Sequence, residues 1–127
     1  MKIIIKAAKL ELTPVIQEYI EEKIRPLERF LKKFEEKNEI DVFVEVGRST
    51  RHHHKGNVFF AEATLAVPEK ILRAEYSYWD IRAAIDKVRD KLKQEIRKYK
   101  DSRRGATRKK IAEQRGNKRR TTRKEIM

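Results

Sequence analysis

The chain contains no cysteine at all. Disulfides, thiolate metal sites and cysteine nucleophiles are excluded together, and a cytosolic setting suits such a composition. Glycine and proline are scarce, 4 and 3 residues in 127. No glycine-rich phosphate cradle occurs, and neither G-x-S-x-G nor H-E-x-x-H is present. Long apolar runs are missing too: none approaches the roughly 20 residues that a membrane span requires. The opening Met1-Lys2-Ile3-Ile4-Ile5-Lys6 is too short an apolar stretch for a signal peptide. Acidic residues are in deficit, 20 Asp+Glu against 33 Lys+Arg, for a net charge of +13. These absences predict a soluble cytoplasmic chain with one small domain and no cofactor, metal or small-molecule substrate.

What the chain has is basic charge, unevenly placed. From Lys100 to Met127 there are 12 Lys+Arg and 3 Asp+Glu, whereas Met1 to Tyr99 holds 21 and 17. A block of like charge repels itself and gains little from folding alone. A polyanion is the partner this pattern implies, because neutralising phosphates releases counterions. A surface made basic only for solubility would disperse its charge instead.

Lys2 to Ala8 reads as a strand around β-branched Ile3, Ile4 and Ile5. Thr13-Pro14 reads as a helix start, with Thr13 as N-cap and Pro14 at the first helical position. Ile16, Tyr19, Ile20, Ile24, Leu27, Phe30, Leu31 and Phe34 then recur at helical spacing. Pro26 lacks an N–H and should kink or split this helix. Lys23 sits at the edge of the apolar face, where its stem can pack while its ammonium reaches solvent. Val42, Val44 and Val46 alternate with polar or outward positions, as do Ala61, Ala63, Leu65 and Val67, and a third run carries Leu72, Ala74 and Tyr76. Pro68-Glu69-Lys70 is a tight link between the last two. Ser77-Tyr78-Trp79-Asp80 resembles a capping box, with Asp80 as the other candidate cap. Ile81, Ala84, Ile85, Val88, Leu92, Ile96 and Tyr99 mark the inner face of a long second helix. Beyond Tyr99 the apolar period fades, and the tail is expected to be disordered when free.

The expected fold is therefore α+β in the order β-α-β-β-β-α. A four-stranded sheet carries both helices on one face, residues 1–100 form the domain and residues 101–127 the basic tail. On the second helix, Lys87, Lys91 and Lys98 align on one flank of the apolar stripe, and Arg82, Arg89, Lys93 and Lys100 on the other. Such ridges can track phosphates but cannot alone specify sequence. The bland reading is a solvated face laced with i,i+4 pairs; the adjoining basic tail argues against it. The acidic and basic residues of the first helix are too evenly mixed to distinguish it from an ordinary solvated face. His52, His53 and His54 are consecutive, so in an extended loop they point to opposite sides and make a poor tetrahedral site. Carboxylates lie on charged helical faces rather than in an apolar cleft, so no catalytic pair stands out.

Several segments in order resemble the ribosome hibernation-promoting factor family (ribosome-associated inhibitor A, or protein Y). Leu10-Glu11-Leu12-Thr13-Pro14 and Tyr19-Ile20-Glu21-Glu22-Lys23-Ile24 are similar to its first helix, and Leu27-Glu28-Arg29-Phe30 to its Leu-Glu-aromatic stretch. Glu62 to Pro68 resembles its third strand. Asp80-Ile81-Arg82-Ala83-Ala84-Ile85-Asp86, with Asp90-Lys91-Leu92 and Arg97-Lys98-Tyr99-Lys100, carries the most specific likeness. The resemblance implies a non-enzyme that binds the small ribosomal subunit in the mRNA and tRNA channel and holds ribosomes inactive in starvation or stationary phase. It implies RNA-facing roles for Lys23 and Arg29, and for Lys87, Lys91, Arg97, Lys98 and Lys100; Arg103 and Arg104 of the tail extend that set by charge. Pro26, the loop from Gly47 to Gly56 and the short basic tail depart from the family pattern. The chain has no room for the dimerisation domain of long members, so a monomer is expected when free. Two other classes fit the residues: a general structured-RNA or subunit-assembly protein, and an RNA-processing enzyme using the histidine loop.

Overall fold

Thr13 begins the first helix as its side chain foretold. The Thr13 hydroxyl accepts a hydrogen bond from the Ile16 N–H at 3.3 Å, and Pro14 occupies the first helical turn, where its missing N–H costs nothing. The computed structural model describes the backbone of residues 1–35, 39–49 and 58–126, with side chains through Arg104. The elements are β1 (Lys2–Ala8), α1 (Pro14–Ile24), a 3-10 segment (Arg25–Phe30), α2 (Lys32–Glu35), β2 (Asp41–Arg48), β3 (Phe59–Val67), β4 (Lys70–Tyr78) and α3 (Ile81–Ile126). The α+β class, the strand count and the helical layer on one face of the sheet are as the sequence implies.

Pro26 does split the first helix. The α-helical bonding ends at Ile24, and the chain tightens into the 3-10 segment from Arg25. The apolar stripe survives this change of pitch: Ile20 and Ile24 before it, and Leu27 and Leu31 within and after it, are all buried.

The strands lie in the order β1-β2-β3-β4, with β1 parallel to β2 and the other pairs antiparallel. Register places Ile5, Val44 and Ala63 side by side, with Ala74 next across. Because side chains alternate, Val42, Val44 and Val46 share a face with Ala61, Ala63, Leu65, Leu72 and Ala74, and that face is buried. Ala84, Ile85, Val88, Leu92 and Ile96 of α3 are buried as well. No polar or charged side chain is fully buried among the described residues, so this core needs no internal ion pairing. The opposite sheet face is open, with Phe43 and Ile71 exposed and an Arg73–Glu62 ion pair at 2.7 Å.

Two of the expectations need correcting. Ser77 lies inside β4, and Asp80 is the cap of α3: its carboxylate accepts from the Arg82 N–H at 3.0 Å and its carbonyl from the Ala84 N–H at 3.0 Å. The strand runs further than its apolar pattern because pairing with β3 extends to Phe59↔Tyr78. The segment after Tyr99, expected to be disordered, is helical, and α3 continues to Ile126. Lys, Arg, Glu, Gln and Ala, good helix formers, make up most of that segment, and Gly105 and Gly116 are its weakest positions. The chain divides into two units, Met1–Ile96 and Arg97–Met127, so the division falls within this helix. The histidine loop, His52 to His54, lies outside the described residues.

Tyr19 of α1 ties that helix to α3. Its hydroxyl donates to the Asp86 carboxylate at 2.6 Å, and Lys23 stands 3.8 Å from the same carboxylate. Partial burial, and then the hydrogen bond and charge of Asp86, push the Tyr19 hydroxyl up to about 12. A raised folded-state pKa means that this contribution to stability is complete below the ordinary tyrosine value of about 10 and is lost as pH rises through about 12. Alkaline difference spectra of the wild type against Tyr19→Phe should therefore show a phenol ionising near pH 12, and Asp86→Asn should bring it part of the way back. An ionisation untouched by Asp86→Asn would remove the bond from this account.

Two backbone positions give opposite expectations. Glu69 has φ 68°, a left-handed conformation imposed by the short β3–β4 link. Glu69→Gly should stabilise by about 0.5–1 kcal/mol, the relief of left-handed strain less the extra freedom glycine gives the unfolded chain. At Gly47 a Cβ would strike the Ala8 carbonyl and lie 2.8 Å from the Phe60 ring. Gly47→Ala should cost about 1–3 kcal/mol in chemical denaturation, as overpacking does.

Candidate nucleic-acid interface

The apolar stripe of α3 settles where its charges go. Once Ile85, Val88, Leu92 and Ile96 are buried, the residues beside them must flank the packed face. On one flank, the Lys87 and Lys91 ammonium groups lie 5.8 and 5.1 Å from the centre of the Tyr76 ring of β4. Lys91 also donates to the Glu75 carbonyl at 3.1 Å. On the other flank, Arg82 stands 5.6 Å from the Tyr19 ring, and Lys93 5.6 Å from the Phe30 ring. Of the two ridges foreseen on α3, Lys87 and Lys91 on one and Arg82 and Lys93 on the other are thus seated on aromatic rings, while Arg89 pairs with Asp90 at 2.9 Å.

The first helical layer adds cations to the second flank. Lys23 lies over Tyr19 at 5.4 Å and is half-buried, with its stem packed and its ammonium near Asp86. Arg29, exposed on the 3-10 segment, lies over Phe30 at 4.8 Å. Arg82 and Lys23 therefore share one ring, and Lys93 and Arg29 share another. A cation held over an aromatic face keeps its donors outward and has already lost part of its rotamer freedom. Such a side chain loses less entropy when it meets a phosphate than a freely rotating lysine does.

Arg97, Lys98, Lys100, Arg103 and Arg104 belong to the second unit. Arg97, Lys98, Arg103 and Arg104 are exposed and Lys100 is half-buried. Arg103 donates to the Tyr99 hydroxyl at 2.9 Å, with its guanidinium 5.6 Å from the same ring. This unit holds 14 Lys+Arg against 3 Asp+Glu; Met1–Ile96 holds 19 against 17. The first unit thus offers placed cations in a nearly balanced setting, and the second offers charge density.

The pairing of each cation with a ring was not read from the sequence. The aromatic positions were visible as members of apolar stripes, but which ring meets which lysine depends on the docking of α3. No group of His, Asp and Glu among the described residues could hold a metal ion. Among the described residues no helix is long and apolar enough to cross a membrane.

The chain is similar to several proteins of known family. It is 33% identical over 100 residues to the ribosome hibernation promotion factor of Lactococcus lactis subsp. cremoris, covering 79% of this chain and 50% of that one. With the protein of the same description from Deinococcus radiodurans it shares 36% over 91 residues, covering 72% and 44%. The chain thus spans about half the length of the curated relatives it matches. Its fold matches the crystal structure of the Thermus thermophilus protein Y N-terminal domain with a TM-score of 0.61 at 25% identity, covering 78% of this chain and 99% of that domain. A ribosomal subunit interface protein from Coxiella burnetii aligns with a TM-score of 0.65 at 18% identity, covering 80% and 99%, which bears on the fold alone. The family model for the Sigma 54 modulation protein / S30EA ribosomal protein matches residues 3–104, and this chain belongs to that family.

Proposed function

We propose that this protein is a ribosome hibernation factor: it binds the small ribosomal subunit through ribosomal RNA in the mRNA and tRNA channel and keeps ribosomes inactive under stress or in stationary phase. The observation that carries this reading is the pair of cationic flanks on α3, Lys87 and Lys91 on one side and Arg82 and Lys93 on the other, held over rings by a packed core. Family membership supplies the class of target. Phosphates on two sides of one helix fit that arrangement, and a groove in folded RNA presents them so. Arg97, Lys98, Lys100, Arg103 and Arg104 extend the contact with more charge and less placement. The protein acts by occupancy rather than by chemistry, as a cytoplasmic factor that is monomeric when free.

Reversal of Lys87, Lys91 and Lys98 to Glu tests the reading. Each lost charged contact should weaken small-subunit binding about tenfold, and the slope of log affinity against log salt should fall by about 1 per residue. The fold should persist, since none of the three belongs to the buried apolar core. Sedimentation with ribosomes, together with a thermal melt of the variant, measures both. Unchanged affinity and slope would take this face out of the interface. Equal affinity for free structured RNA and for intact small subunits would favour a general RNA-binding or assembly protein.

A further inference from the structure

At the corner where β4 gives way to α3, aromatic side chains continue past the ring that seats the lysines. Tyr76 and Tyr78 are stacked, with centres 5.9 Å apart and planes 30° from parallel. Tyr78 and Trp79 follow at 5.2 Å and 35°. Exposure grows along the series: Tyr76 is half-buried, Tyr78 is 37% exposed and Trp79 67% exposed. At the inner end, Lys87 and Lys91 lie over Tyr76. The neighbouring acid, Asp80, is turned to the backbone, where it caps α3. All six residues lie within Met1–Ile96.

A large ring left in water forfeits the burial that usually holds tryptophan in place. The other strongly exposed apolar side chains of the sheet, Phe43 and Ile71, lie on its open face and have no such cations over them among the described contacts. Tyr78 and Trp79 instead continue a ring series whose first member already carries two ammonium groups. Aromatic faces beside phosphate-seeking cations are the combination that single-stranded nucleic acid recognises: bases stack on the rings while the backbone meets the charges.

We infer that Tyr78 and Trp79 form a stacking platform for an unpaired base of single-stranded RNA, with Lys87 and Lys91 taking the phosphates beside it. The inference rests on the RNA-binding reading of the lysine flank and deepens it, because it adds a contact to bases. Lysines alone would bind duplex and single strand through phosphate. The platform adds a preference for unstacked nucleotides, independent of base identity, since every base presents a π-face.

Trp79 is the chain's only tryptophan, so its emission reports on the platform directly. The full chain is titrated with a 12-nucleotide oligoadenylate RNA at low salt, and in parallel with an abasic ribose-phosphate strand of equal length. Both strands should bind, and only the RNA should quench Trp79. Trp79→Ala should weaken oligoadenylate binding, read by anisotropy of labelled RNA, about tenfold, the usual loss for one stacked base. Trp79→Phe should retain most of the affinity. If the RNA binds in a manner that depends on Lys87 and Lys91, yet neither quenches Trp79 nor responds to Trp79→Ala, the platform is refuted while the cationic reading stands. If Trp79→Ala weakens binding to small subunits but not to the oligonucleotide, the rings meet protein and the inference is wrong. If the wild type binds neither RNA nor small subunits, the reading beneath it fails as well.

Discussion

Burial of the stripe Ile85–Val88–Leu92–Ile96 on α3 is the constraint from which the surface chemistry follows. A helix that buries one face has no freedom to rotate, so the angular position of every other residue is decided by the core. Lys87 and Lys91 come over Tyr76, and Arg82 and Lys93 come over Tyr19 and Phe30. The apolar residues of α1 and the 3-10 segment do the same for Lys23 and Arg29. Tyr19, bonded to Asp86, then joins the two helical layers at the point where their cations converge. Charge is positioned here by hydrophobic packing, with ion pairs in a minor role.

The placement of Pro26 illustrates how local and tertiary demands were reconciled. Its ring forbids an unbroken α-helix, yet the stripe it interrupts is needed on both sides. A 3-10 segment meets both demands: it tightens the chain while keeping Leu27 inward, and leaves Arg29 exposed beside Phe30. Where a proline could have ended the layer, it turned the helix into a 3-10 segment whose apolar face runs on from Ile24 through Leu27 to Leu31.

Much of this was legible in the sequence. The strand-helix order, the Thr13 cap, the break at Pro26 and the two ridges of α3 all follow from periodicity, proline stereochemistry and capping chemistry, which are local. So were the motifs resembling the family to which the chain belongs. Three features were not legible, for physical reasons. Ser77 looked like a cap because the sequence does not reveal how far β3 holds β4 in register. The helicity beyond Tyr99 was hidden by charge, since an absent apolar period speaks of solvation and not of backbone preference. The seating of cations on Tyr19, Phe30 and Tyr76 arises from docking between elements distant in the chain, and no window of sequence contains it.

Among the described residues the sheet ends in β1 on one side and β4 on the other, each paired along one edge only, and a sheet with open edges can grow by recruiting another copy. Each edge is charged. Lys2 and Lys6 stand on β1, and Lys70 and Arg73 outnumber Glu75 on β4, so two copies approaching edge to edge bring a net excess of like charge together. The same excess of lysine and arginine that would suit a polyanion thus also opposes the pairing of one sheet edge with that of another copy.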